Sequence, residues 1–312
     1  MNASVEFIAP EPGQAGLRKI LRGALRLLFR GLVRPPMPIA GQRAVIRLLT
    51  AAPIRVRGVT RSAGRLGGRP CEWHRPERDS GAVLLYLHGG AYLIGAPSTH
   101  RALCASIARR AGLSVCALDY RLAPEHRLPA PREDALAAYA ELLRLGYGAE
   151  RIFIGGDSAG GHLTLATAQA LLAAGLPLPA GLVCLSPWTD ASGLHLHQPP
   201  AGDPLLHPKW LDQAVALFCP ADADRNDPAL SPLHGELGRL PPLLIQVGED
   251  EVLLNDSLRL AERARAAGAE VRLERYPGVW HVFQAHVGML RVADLAVQRI
   301  ADFLRDQQNG RG

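Results

Sequence analysis

No apolar run in the 312-residue chain approaches the roughly 20 residues that a membrane-crossing helix needs, so no transmembrane anchor is expected. Cysteine is sparse: Cys71, Cys104, Cys116, Cys184 and Cys219 are odd in number, scattered, and set among apolar neighbours. With no C-x-x-C and no histidine at ligand spacing beside them, they exclude a disulfide framework and a zinc site as organising devices. Buried free thiols and a reducing, cytoplasmic compartment are predicted instead. Acid is scarce at one end. Residues 1–65 hold twelve Lys and Arg against Glu6 and Glu11, a net +10, which leaves −4 for the remainder of a chain whose total is +6. The basicity is therefore local, and without a reader motif or an aromatic-basic platform it does not point to nucleic acid.

What is present is an alternation of strand and helix signals. Strands are predicted at 54–60, 71–74, 82–87, 114–119, 151–154, 181–185, 243–247 and 270–276. Helices are predicted near 99–111, 132–145, 162–174, 252–267 and 288–306. Such a rhythm specifies an α/β fold, a mostly parallel eight-stranded sheet with helices on both faces. Residues 1–16, with Pro10 and Pro12, read as a loose lead-in. From Leu17 to Val33 the residues Ile20, Leu21, Ala24, Leu25 and Leu28 share a helical face while Arg18, Arg22, Arg26 and Arg30 recur every four, and Pro35–Pro38 ends the helix. The arginines interrupt any apolar core of a signal peptide, so cleavage is not expected. This basic helix either packs on the body or touches an anionic membrane surface. Between Ser186 and Pro232 prolines break the alternation around one helix marked by Leu211, Ala214, Val215 and Phe218. The expected division is an N-terminal cap segment (1–50), a core (51–186), a helical cap insertion (187–230) and the rest of the core (231–312).

The chain is organised around Gly156-Asp157-Ser158-Ala159-Gly160, a G-x-S-x-G placed between a strand and a helix. A turn of this kind holds its serine in a cramped conformation, and Ser158 is the candidate nucleophile. The similar GDSGG of trypsin-like proteases belongs to an all-β, disulfide-stapled fold, which the alternation here excludes. After the strand ending at Leu87 comes His88-Gly89-Gly90-Ala91-Tyr92, a loop whose backbone amides can face a pocket as oxyanion donors with that of Ala159. Gly248 is followed by Glu249, Asp250 and Glu251, three candidate acids, which alone could simply be a negatively charged helix start. His281 follows the last predicted strand. The chain order serine, acid, histidine, each after its own strand, fits acyl transfer by a triad.

The segments LYLHGGAYLIGAPSTHR, LDYRLAPEHRLPAPREDALAAY, GDSAGG, PPLLIQVGEDEVLLNDS and PGVWHVF together resemble the hormone-sensitive-lipase-type (bacterial family IV) carboxylesterases over about residues 80–305. The resemblance implies Glu251 as the triad acid beside Ser158 and His281. It also implies amides of Gly89 or Gly90, Ala91 and Ala159 as the oxyanion hole, and a small-molecule ester substrate with no metal or organic cofactor. Ala91 departs from the family's third glycine. His162, His286, Asp157 and Asp256 are assigned supporting roles. Tyr92, Trp210, Leu211 and Phe218 are candidate pocket residues, and their bulk suggests short or medium acyl chains. A lactone hydrolase with the same triad, and a non-catalytic ligand-binding receptor on the same fold, are the rival readings. The charged strand Glu270–Tyr276 is read as a sheet edge, either pairing in a homodimer or blunted by its charges.

Overall fold

Residues 5–8, 12–34, 36–50, 56–220 and 222–310 are described by a computed structural model of the protein. At its centre β4 (Val83–Leu87) is shielded from solvent at every side chain, the pattern of a strand covered on both faces. The other strands are β1 (Val5–Phe7), β2 (Val59–Leu66), β3 (Arg69–Pro76), β5 (Ser114–Leu118), β6 (Ile152–Asp157), β7 (Gly181–Leu185), β8 (Leu243–Gly248) and β9 (Val271–Tyr276). Their order in the single sheet is β1-β9-β8-β7-β6-β4-β5-β3-β2. The hairpin β2–β3 is antiparallel and joins β5 antiparallel, while all other pairings are parallel. All eight expected strands are present, with β1 added at one edge.

Alternate residues of each central strand feed opposite layers. Leu84, Tyr86, Val115, Phe153 and Val183 pack under α3 (Arg101–Ala111) and α8 (Arg291–Asn309). Val83, Leu85, Leu87, Ile152 and Ile154 pack under α4 (Ala130–Arg144), α5 (Ala159–Ala173) and α7 (Leu254–Ala266). Full burial of each such side chain contributes about 1.5–3 kcal/mol. Because β5 lies on one side of β4 and β6 on the other, the winding reverses across β4. The carboxyl ends of β4 and β6 then open a crevice where ligands bind in sheets of this type.

The ends of the chain depart from expectation. β2 starts at Val59 and runs to Leu66 instead of covering 54–60, of which Ile54 and Arg55 lie outside the described residues. It is an outer strand, and Arg61, Ser62 and Arg65 on it hide it from a search for apolar runs. The expected loose lead-in contains β1, which pairs with Leu273–Arg275 of β9. The outer side of β9 is thus occupied there, so this strand is not the free edge on which the homodimer reading relied. Nor is Glu274 an edge charge: it is fully buried and bonded by Arg272, Arg299 and the Tyr276 hydroxyl.

The basic helix is α1 (Ala15–Leu27), extended by a π-helical turn over Leu28–Leu32. Leu17, Leu21, Leu25 and Leu28 face the body, but Ile20, expected on the same stripe, is 71% exposed and Ala24 is also outward. Pro35, expected to help end this helix, lies outside the described residues. A second helix, α2 (Ile39–Leu49), was not expected, and the insertion contributes α6 (Pro208–Phe218). All five cysteines are buried and free. Among the described residues no helix is long and apolar enough to cross a membrane.

Candidate active site

Ser158 sits between the last residue of β6 and the first of α5 with φ 53° and ψ −118°, a conformation that costs an L-residue about 1–3 kcal/mol. Neighbouring hydrogen bonds hold it there. Its N–H donates to Leu185 O at 2.8 Å, and its carbonyl accepts from His162 N at 3.0 Å and Trp188 N at 3.1 Å. The turn also demands close approach of α5 to the end of β4: a Cβ on Gly160 would lie 1.9 Å from Leu87 O and 2.8 Å from His88 O.

The loop after β4 is bent by positive φ at Gly90 (119°), Ala91 (54°) and Tyr92 (61°). At Ala91 the conformation is one that glycine takes without penalty, so the methyl group here is carried at some strain. The loop is braced from beneath. Asp157 accepts from the Gly89 N–H at 3.0 Å and from the Tyr86 hydroxyl at 2.8 Å, and its carboxylate lies 3.0 Å from His100 Nε2. Burial alone would raise the Asp157 pKa, but the charge and hydrogen bond of His100, with Tyr86, keep it below the usual carboxylate range. For His100 burial works against the charged ring and Asp157 outweighs it, raising its pKa. Asp157 therefore braces the loop after β4, whereas its expected role was to orient the serine turn. The same contact corrects the donor set. The Gly89 N–H is already committed, whereas those of Gly90 and Ala91 donate to no described residue and remain, with Ala159 at the start of α5, free to face a ligand.

The three acids after β8 separate cleanly. Glu249 pairs with Arg275 at 2.7 Å, Asp250 pairs with Arg22 of α1, and Glu251 faces His281, its Oε1 3.2 Å from Nδ1. The other oxygen of Glu251 accepts from the Ser186 hydroxyl at 2.7 Å and Gly248 N at 3.0 Å. Ser186 Oγ in turn accepts from Val282 N at 3.2 Å, tying the acid to the histidine loop. Nothing in the sequence singled out Ser186, because its role depends on strands β7 and β8 being neighbours. Burial disfavours the charged form of His281. The hydrogen bond and charge of Glu251, then Asp203 and Asp157, overcome that and raise its pKa.

Ser158 and His281 line one cavity of about 970 Å³, although the serine hydroxyl is not hydrogen-bonded to the imidazole in this conformation. Catalytic pairs commonly tighten only when substrate is bound. Gly89, Gly90 and Ala91 line it too, as do Leu25, Phe29 and Ile46 from the N-terminal helices and Trp210 from α6. Three of the four expected pocket residues are elsewhere. Tyr92 is fully buried, its hydroxyl 2.6 Å from His162 Nδ1, because the positive φ turns its ring down into the core. Phe218 packs on Tyr92 with ring centroids 5.0 Å apart, and Leu211 borders a separate small cavity beside Trp188. Leu211, Ala214, Val215 and Phe218 form the buried stripe of α6, and it is Lys209, Trp210 and Gln213, off that stripe, that reach the large cavity.

The supporting residues have defined partners. Burial lowers the pKa of His162 to about 4, and its Nε2 lies 2.9 Å from Leu230 O. His286 accepts from Trp280 Nε1 at 3.3 Å, and Asp256 accepts from the amides of Thr189 and Asp190.

A doubly wound sheet, a strained serine after its central strands and a histidine–carboxylate pair facing the same cavity make the architecture that of an α/β-hydrolase. The sequence profile of a family described as alpha/beta hydrolase fold matches residues 84–285. The chain is 43% identical over 242 residues to an acetyl-hydrolase of Streptomyces hygroscopicus, covering 77% of this chain and 81% of that protein. It is 35% identical over 247 residues to an ethyl acetate hydrolase of Pseudomonas putida, covering 76% and 78%. The solved structure of an esterase from the bacterial hormone-sensitive lipase family matches with a TM-score of 0.87 at 37% identity, covering 94% of this chain and 99% of that one. The chain belongs to the hormone-sensitive-lipase-type carboxylesterases of the α/β-hydrolase fold, and it is an ester hydrolase.

Proposed function

We propose that the protein hydrolyses short- to medium-chain acyl esters through an acyl-enzyme on Ser158. The observation that carries this reading is the Glu251–His281 pair opening on the cavity that Ser158 lines. With Nδ1–H donated to Glu251, Nε2 of His281 is left as the base. It takes the Ser158 proton as Oγ attacks the carbonyl carbon, and the amides of Gly90, Ala91 and Ala159 receive the oxyanion. The same proton passes to the departing alkoxide. Water then attacks the acyl-serine with His281 again as base, releasing the acid and restoring Ser158. Apolar walls from Leu25, Leu28, Phe29 and Ile46 suit an acyl chain.

A fluorophosphonate probe is expected to label Ser158, and a panel of p-nitrophenyl esters from acetate to dodecanoate is expected to peak at short or medium length and to outpace simple lactones. Absence of labelling would favour a ligand-binding receptor; a faster lactone would favour a lactonase.

The acid limb of kcat/KM should follow His281, which must be neutral to act. Since its pKa is raised, the midpoint is expected above the ordinary value of about 6.5. The stability linkage has the opposite sign: the extra stability of the charged pair is present below about 6.5 and is lost as pH rises through the folded-state pKa. A rate that stays level down to pH 4 would remove His281 as the base.

A weak contact with anionic membrane completes the proposal. Ile20, Leu27 and Leu48 are 71%, 77% and 78% exposed, near Lys19, Arg26 and Arg47. Sedimentation with phosphatidylserine-containing vesicles should be salt-sensitive and weakened by Ile20→Ser with Leu27→Ser. Binding that ignores both salt and these changes would reject the contact.

A further inference from the structure

The charge on the cavity wall is one-sided. Of its lining residues Asp157 alone is acidic, and that carboxylate lies beneath the loop after β4, bonded to Gly89, Tyr86 and His100. The lysine and arginine side chains of the lining are Arg30 and Arg34, within the π-helical turn and just beyond it, and Lys209 in the first turn of α6. None of the three forms an ion pair with a described residue. Arg30 has one guanidinium bond, from Nη2 to Leu206 O at 3.3 Å, while its Nε is buried without a partner. Elsewhere the chain does neutralise arginines of this region: Arg22 is paired with Asp250 and Arg43 with Glu125. Three other acids near the site offer no counter-charge to the wall, and Glu251 among them is engaged by His281, the Ser186 hydroxyl and the Gly248 amide. Asp250 is held by Arg22, and Asp203 is buried with its oxygens taken by the amides of Leu205, Leu206 and Val252. From Pro12 to Cys71 the sequence contains no acid at all.

A wall that is apolar at Leu25, Leu28 and Phe29 and cationic at Arg30, Arg34 and Lys209 is complementary to a molecule with the same division. We infer that the site selects esters carrying an anionic group, a carboxylate, sulfonate or phosphate, away from the scissile bond and within reach of these three cations. The inference rests on the ester-hydrolase reading of the same cavity and specifies its substrate class. An anion that enters gains the attraction of three cations that have no ion-pair partner among the described residues; Arg30 is half-buried while Arg34 and Lys209 are exposed, so the attraction is expected to weaken with added salt. A neutral ester of the same shape gains only the apolar contacts.

The test uses the full chain and two pairs of matched esters. On the acyl side, p-nitrophenyl monoesters of dicarboxylic acids are compared with their neutral methyl-capped counterparts. On the alcohol side, butyrate esters of a sulfonated phenol are compared with those of its neutral sulfonamide. At low ionic strength the ratio of kcat/KM, anionic over neutral, is expected to exceed one in at least one pair. That ratio should drop by about fivefold to tenfold in Arg34→Gln with Lys209→Gln, and fall with added salt. A ratio of one or less in both pairs, or a high ratio that ignores both salt and the substitutions, overturns the inference. Equilibrium binding of the same esters to Ser158→Ala, followed by calorimetry, reads the cations independently of turnover. If neither ester is turned over by the native protein, the hydrolase reading fails, while a calorimetric preference for the anion would still uphold the subsite and equal binding would refute it.

Discussion

Ser158→Ala is expected to lower kcat for a chromogenic ester by about 10⁴-fold or more while leaving the thermal melting curve where it was. The first half follows from the proposed role of Ser158 as nucleophile: on that reading no acyl-enzyme forms without Oγ, and only the loop amides and the cavity remain to assist water. The second half follows from the surroundings of the side chain. Its hydroxyl makes no hydrogen bond with a described residue, the backbone N–H and C=O hold it in place, and alanine keeps both. Ester turnover and calorimetric melting on the same preparation check the two halves together. A variant that melts normally and still releases alcohol at a near-native rate would mean that the acyl group is carried elsewhere.

Gly160→Ala is expected to give the largest loss of stability. The added Cβ would stand 1.9 Å from the Leu87 carbonyl oxygen, well inside van der Waals contact, and both partners are backbone, so no side chain can swing away. Relief requires α5 to lift from the end of β4, which separates Ser158 from the loop that carries Gly90 and Ala91. A cost of about 3 kcal/mol or more is expected, seen as aggregation on expression or a fall in Tm of roughly 6–12 °C. Native melting and activity in this variant would show that the helix does not approach the strand so closely.

How much was legible in the sequence can be judged from the site itself. Ser158 and His281 announce themselves because the catalytic constellation puts each after its own strand, and strand order survives in one dimension. The acid was harder. Glu249, Asp250 and Glu251 are adjacent and chemically alike, and only the geometry gives each a separate partner in Arg275, Arg22 and His281. Residues whose work depends on which strands become neighbours were not legible: Ser186 joins Glu251 to the histidine loop, and Asp157 takes the Gly89 amide out of the set of free donors. Composition misled at the pocket. Tyr92, Leu211 and Phe218 are large and apolar, which suits a pocket and a protein interior equally, and they lie in the interior or beside another cavity. The outer β2 registered only at its start, as a strand over 54–60 where the structure has Val59–Leu66, and the brief β1 not at all, because outer or short strands need few apolar residues.

The N-terminal helices are wired into the catalytic loop by one side chain. Arg43 of α2 donates to Leu93 O and Ala123 O, each at 2.7 Å, and grips Glu125 with both Nη atoms. Leu93 closes the bend that begins at Gly90, since its N–H returns to the Gly90 carbonyl. A chimaera built by exchanging the first fifty residues with those of another hydrolase would therefore alter more than which substrates enter. It would also unfasten the bend that carries the Gly90 and Ala91 amides, unless the graft keeps a guanidinium at position 43.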